Sequence, residues 1–65
     1  MNLFINGEQR TVKSETIEQL IAELELNGQL LVVEMAGEII ARENWSNTSL
    51  SENKSIELVH FVGGG

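Results

Sequence analysis

Cysteine is absent from this 65-residue sequence, and histidine occurs once, at His60. A chain this short buries only about 60% of the surface its unfolded form exposes, and small domains commonly add disulfides or a structural metal to compensate. Neither staple is available, so a single well-packed core has to hold the fold, with no room for an internal active-site cavity. The missing cysteine also fits a reducing compartment. Lysine and arginine number four against ten acidic residues, all of them glutamate, for a formal charge of −6. Without a run of basic residues the chain is a poor match for a phosphate backbone, so nucleic acid is not an expected partner. Partners with basic docking surfaces are favoured instead. No aspartate, cysteine or second histidine stands by His60 to complete a catalytic site. No glycine-rich loop joins a strand to a helix, and metal-ligand spacing is missing. His60 therefore reads as a structural or surface residue, and the chain is not expected to be an enzyme by itself. Residues 1–7 carry neither a basic segment nor a long apolar run. No signal peptide or membrane span is expected, which leaves the cytoplasm.

What is present is alternation and turn chemistry. Through residues 2–13 apolar residues alternate on either side of Asn6-Gly7, the strongest short-range hairpin signal. Met1, Leu3 and Ile5 share one face of the first strand; Asn2, Phe4 and Asn6 share the other. Residues 9–13, polar except for Val12, read as an edge strand. Thr16 and Gln19 match a capping box, in which the Thr16 hydroxyl accepts from the Gln19 N–H and the Gln19 side chain reaches back. Ile17, Leu20, Ile21 and Leu24 then recur at helical spacing, and Asn27-Gly28 supplies the predicted stop. Glu18, Glu23 and Glu25 avoid that stripe and read as a solvated face. Residues 30–35 predict a third strand, Ala36-Gly37 a turn and residues 38–42 a fourth strand. Residues 42–45 lack strand alternation and predict a short helical turn, with Trp45 packed at the rim of the core. Residues 46–55 read as a loop anchored by Leu50, and residues 56–62 as a last strand rich in β-branched and aromatic side chains. The element order predicts an α+β layer, a mixed sheet of four to five strands with one main helix on one face, joined by a right-handed crossover.

The face without a helix is the informative one. Ile56 and Leu58 point toward the helix by parity, so Val59 and Phe61 fall on the solvent side. Phe4 on the first strand, with Val32 and Glu34 on the third, should face outward too. If the last strand lies between the first and the third, Phe4, Val32, Glu34, Val59, Phe61 and Val62 form a docking patch. Beyond it the chain ends in Gly63, Gly64 and Gly65. Residues 1–62 are expected to form the domain and residues 63–65 a flexible tail, because glycine loses the most conformational freedom on ordering. Without Cβ atoms such a tail can thread a narrow slot and present the Gly65 carboxylate to a partner. Ordering residues 62–65 costs on the order of 4–8 kcal/mol. Three or four patch side chains, each returning roughly 1.5–3 kcal/mol when buried, are enough to offset it.

Residues 3–8 (Leu-Phe-Ile-Asn-Gly-Glu), the helix of residues 16–24, residues 33–40, the Arg-Glu-Asn-Trp segment at 42–45 and above all residues 56–65 carry a resemblance to a known family. Across its whole length the chain resembles the ubiquitin-like β-grasp sulfur carriers, and most closely the ThiS family of thiamine biosynthesis. That resemblance implies a cycle performed on Gly65. An E1-like adenylyltransferase (ThiF-like) would use ATP and magnesium to adenylate the carboxylate, while the carrier itself binds no cofactor. A persulfide donor, typically a cysteine desulfurase, would replace AMP and leave a thiocarboxylate, and a thiazole synthase (ThiG-like) would take up the sulfur. With no side-chain thiol in the chain, sulfur chemistry has only the C-terminus to use. The family pattern is Gly-Gly, which Gly63 extends by one residue. A molybdopterin-synthase small subunit, a ubiquitin-like protein modifier and a non-covalent adaptor using the patch alone are the alternatives.

Overall fold

The computed structural model describes residues 1–60. Its strands are β1 (Asn2–Ile5), β2 (Glu8–Thr11), β3 (Leu31–Met35), β4 (Glu38–Ile40) and β5 (Ser55–His60), and its main helix is α1 (Ile17–Glu23). The strands form one mixed sheet in the order β2-β1-β5-β3-β4, parallel between β1 and β5 and antiparallel elsewhere. This is the β-grasp arrangement expected above.

Both hairpins close through two-residue turns. Asn6 and Gly7 take φ of 51° and 84°, and Ala36 and Gly37 take 53° and 81°. Positive φ at both central positions is what a type I′ turn needs to match the twist of its strands. Register follows from the turns, pairing Ile5 with Glu8 and Met35 with Glu38. On β1 this buries Leu3 and Ile5 and leaves Phe4 outside, as the alternation predicts. The polar β2 is the edge strand expected, and Val12, just past it, is buried.

The helix starts where its cap predicts, with the Gln19 N–H donating to the Thr16 Oγ1 at 3.2 Å. The return half of the box differs: the Gln19 Oε1 accepts from the Glu15 N–H, not from Thr16. Thr16 is instead bridged to Ser49 in the long loop, which fixes the backbone just before the helix. The helix also ends before Asn27-Gly28. Glu25 takes φ of 56°, its N–H donates to the Ala22 carbonyl, and the Leu26 N–H reaches back to Ile21. That is a Schellman motif with glutamate in the place glycine usually fills. Leu24 and Leu26 turn against the core, and burying them ends the helix sooner than the glycine does. Asn27 then caps a 3-10 turn, Gly28–Leu30, by accepting from the Gln29 N–H. Gly28 eases a close approach to Trp45: a Cβ there would lie 3.2 Å from its Cζ3, tighter than ordinary van der Waals contact.

Trp45 belongs to the core proper. It sits buried in the 3-10 turn Arg42–Asn47, donates from Nε1 to the Ile40 carbonyl at 2.9 Å, and carries the Arg42 guanidinium over its ring. Arg42 also donates to the Gly28 carbonyl. Because this turn begins at Arg42 with Ala41 as its N-cap, β4 stops two residues short of its expected end. The loop at 46–55 is tied down by buried Leu50, whose N–H donates to Glu15, and by Asn53, whose N–H donates to Asn2.

Glu23 is not merely part of a solvated face. Its carboxylate accepts from the Ser14 hydroxyl and from the Lys13 and Ser14 N–H groups, closing the link between β2 and α1. The Ser14 hydroxyl bond, helped by the backbone donors, holds its pKa below the ordinary carboxylate value. Leu3, Ile17, Leu20, Val33 and Ile56 form the centre of the core between α1 and the sheet. Among the described residues no helix is long and apolar enough to cross a membrane.

Candidate functional site

β5 is the middle strand of the sheet, flanked by β1 and β3, and it is the last element among the described residues. Ile56 and Leu58 are buried against the helix side, and Glu57 and Val59 face outward, the parity predicted from the strand's polar-apolar pattern. Phe4, Val32, Glu34 and Val59 all lie on the open face of the sheet. Phe61, Val62, Gly63, Gly64 and Gly65 lie outside the described residues.

Register shows how the face is divided. Val59 pairs directly with Val32, Glu57 with Glu34, and Ser55 with Phe4. Ser55 and Val59 are about 13 Å apart along the strand at roughly 3.3 Å per residue. Phe4 and the valine pair therefore occupy opposite ends of the face, with the two glutamates between them, in place of the single patch expected. The residue that extends the valine pair is Ile39, opposite Glu34 on β4 and 72% exposed. It sits diagonal to Val32, within reach for side-chain contact. A signal for Ile39 was present: a two-residue turn at Ala36-Gly37 forces Ile39 opposite Glu34, so an outward Glu34 implies an outward Ile39. The run Ile39-Ile40-Ala41 hides this, because it has no alternation of its own.

At the Val59 end of β5, on the helix side of the sheet, is a cleft of about 380 Å³ bordered by Asn6, Arg10, Glu25, Leu26, Leu58 and His60. Asn6 spans from β1 to β5. Its N–H donates to the Ile56 carbonyl, its Nδ2 donates to the Leu58 carbonyl at 3.1 Å, and its Oδ1 accepts from the Leu58 N–H at 2.8 Å. The hairpin signal marks Asn6 as a turn residue, and nothing in the sequence signals this second role. Among the described residues no group of three His, Cys, Asp or Glu side chains is placed to hold a metal. The arrangement offers a partly apolar, partly acidic surface beside the strand that leads to the C-terminal glycines.

The ThiS family profile matches residues 3–65. The chain belongs to the ThiS family. The sulfur carrier protein ThiS of Bacillus subtilis is 38% identical over 65 residues, covering 97% of this chain and 98% of the relative. The crystal structure of ThiS from Geobacter metallireducens superposes with a TM-score of 0.86 at 30% identity over the whole of both chains. A thiazole synthase of Paramagnetospirillum magneticum is 35% identical over 66 residues, which is all of this chain and 20% of that protein. This ThiS-family chain is thus a homologue of a small sulfur carrier, and a unit of its size also forms about a fifth of a synthase polypeptide.

Proposed function

We propose that this chain carries sulfur, as a C-terminal thiocarboxylate on Gly65, to a thiazole synthase in thiamine biosynthesis. A carboxylate is a poor electrophile, so an E1-like partner using ATP and magnesium first converts Gly65 to an acyl-adenylate and releases pyrophosphate. The terminal sulfur of a persulfide donor, such as a cysteine desulfurase, displaces AMP and forms an acyl disulfide. A second thiolate then cleaves the S–S bond, leaving the thiocarboxylate on Gly65 and the donor oxidised to a disulfide. The carrier contributes the acyl group and the address, and catalysis belongs to its partners.

The observation that supports this reading most strongly is the alignment of the entire chain with a fifth of a thiazole synthase. Joining carrier and synthase in one polypeptide raises their effective concentration to about the millimolar range for a short linker. The carrier unit also needs a surface of its own to dock on its partners. The open face supplies one in Val59, Val32 and Ile39, with Glu34 and Glu57 beside them. Those two glutamates stand directly opposite each other, and like charges so placed are mutually destabilising. A basic residue on the partner relieves that repulsion, in keeping with the chain's charge of −6.

Intact-mass analysis tests the proposal. The protein is incubated with the E1-like enzyme, ATP, magnesium and a cysteine desulfurase supplied with cysteine and a reducing thiol, alongside a variant lacking Gly65. A mass gain equal to one oxygen replaced by sulfur, absent from the variant, is expected. No gain with an enzyme and donor that modify another carrier rejects the reading.

A further inference from the structure

The amide of Asn6 lies against β5 just where β1 leaves the sheet. β1 and β5 pair in parallel for only two residues, Phe4 with Ser55 and Ile5 with Ile56, before the type I′ turn carries the chain away. A longer β1 would next present a peptide group to Leu58. The Asn6 carboxamide, which has the same donor and acceptor as a peptide group, meets the Leu58 carbonyl and N–H instead. On the other edge β5 is held by β3 through the Val59–Val32 pair.

Asparagine, aspartate and glycine all suit the first central position of this turn. Only asparagine also offers both a donor and an acceptor: aspartate would set a carboxylate oxygen against the Leu58 carbonyl, and glycine has no side chain. Turn chemistry alone therefore does not single out asparagine over aspartate or glycine here. We infer that Asn6 is a positioning residue of the carrier, latching β5 at Leu58 so that the strand preceding the Gly65 segment in sequence is held on both edges. The inference rests on the carrier reading above and deepens it. A latch of this kind affects how often the terminal carboxylate is aligned for attack on ATP, which is a kcat effect, and leaves docking through the open face, which governs KM, nearly unchanged.

Asn6→Gly keeps the positive φ and removes both side-chain bonds, and Asn6→Asp keeps φ and the acceptor but loses the donor. Each is compared with the wild type in two measurements: hydrogen exchange of the Leu58 amide by NMR, and carrier-dependent ATP–pyrophosphate exchange by the E1-like enzyme. In Asn6→Gly, Leu58 exchange is expected to rise about threefold to tenfold relative to Ile56, the size of one lost hydrogen bond. The kcat is expected to fall by a similar factor with KM within about twofold, and Asn6→Asp to lie between. Wild-type kcat in Asn6→Gly, or a loss confined to KM, overturns the inference while leaving the carrier reading intact. Absence of carrier-dependent exchange with the wild-type protein overturns the carrier reading itself. Should Asn6→Gly fail to fold, Asn6→Asp decides by the same two readouts.

Discussion

Val59→Ala and Ile39→Ala measure what the open face contributes to docking. Truncating valine to alanine removes two methyl groups, about 1.6 kcal/mol of transfer free energy at roughly 0.8 kcal/mol per carbon. Val59 is 55% exposed in the free protein, so only about half of that, near 0.9 kcal/mol, remains for a partner to gain. The expected result is a KM for the carrier about fourfold to fivefold higher with the E1-like enzyme, at unchanged kcat. Ile39 loses three carbons and is 72% exposed, so its share is near 1.7 kcal/mol and its KM increase about 15- to 20-fold. Because Ile39 sits on the neighbouring hairpin strand and makes few core contacts, Ile39→Ala should lower the melting temperature by only a few degrees. The assay is carrier-dependent pyrophosphate exchange as a function of carrier concentration, with thermal unfolding of each variant as the control. Unchanged KM in both variants would refute the assignment of this face. A fall in kcat at constant KM would do the same, because it would place these residues in alignment and not in docking.

Three further outcomes follow from the geometry. Glu57→Gln removes the cross-strand repulsion with Glu34 and should stabilise the free protein by about 0.2–1 kcal/mol in urea denaturation, while raising KM for a basic partner. A variant that is more stable yet docks as well as wild type would count against the acidic half of the face. Glu25→Gly places glycine in the left-handed position that ends α1 and takes a negative charge away from the helix C-terminus. The relief of about 1–2 kcal/mol of left-handed strain outweighs the roughly 0.5–1 kcal/mol of added unfolded-state entropy, so a net gain of about 0.5–1 kcal/mol is expected. Glu25→Gln, which changes the charge alone, should recover only a minor part. The lowered pKa of Glu23 predicts acid sensitivity with a definite sign. Its contribution is fully present above the ordinary carboxylate value of 4.5 that the unfolded chain has, and is lost as pH falls through the lower folded-state value. Wild type should therefore lose stability more steeply than Glu23→Gln as urea midpoints are followed from about pH 6 to pH 3, and parallel curves would refute the role of the Ser14 contact.

Much of the architecture is local and could be read in advance. Asn6-Gly7 and Ala36-Gly37 demand tight hairpins, Thr16 caps a helix whose apolar spacing faces one way, and the alternation along β5 separates Ile56 and Leu58 from Glu57 and Val59. These features rest on backbone sterics and side-chain periodicity within a few residues, so the linear order contains them. The end of α1 is not legible in this way, because packing of the partly buried Leu24 and Leu26 against the core overrides the stop signal at Asn27-Gly28. Gly28 takes its meaning from Trp45, and Glu23 from Ser14, across turns whose geometry exists only once the chain has folded.

By itself, then, the sequence determined which segments become strands and helix, which side of β1, β3 and β5 faces the core, and that the chain carries three glycines after the segment of the last strand. Tertiary structure alone decided that β5 lies between β1 and β3, that Val59 and Val32 meet at one end of the open face with Ile39 diagonal to them while Phe4 sits at the other end, and that the Asn6 amide meets Leu58. Asn6 and Leu58 are 52 residues apart in sequence. No local preference encodes such a pairing; it appears when burial of the shared core brings the two ends of the chain into one sheet.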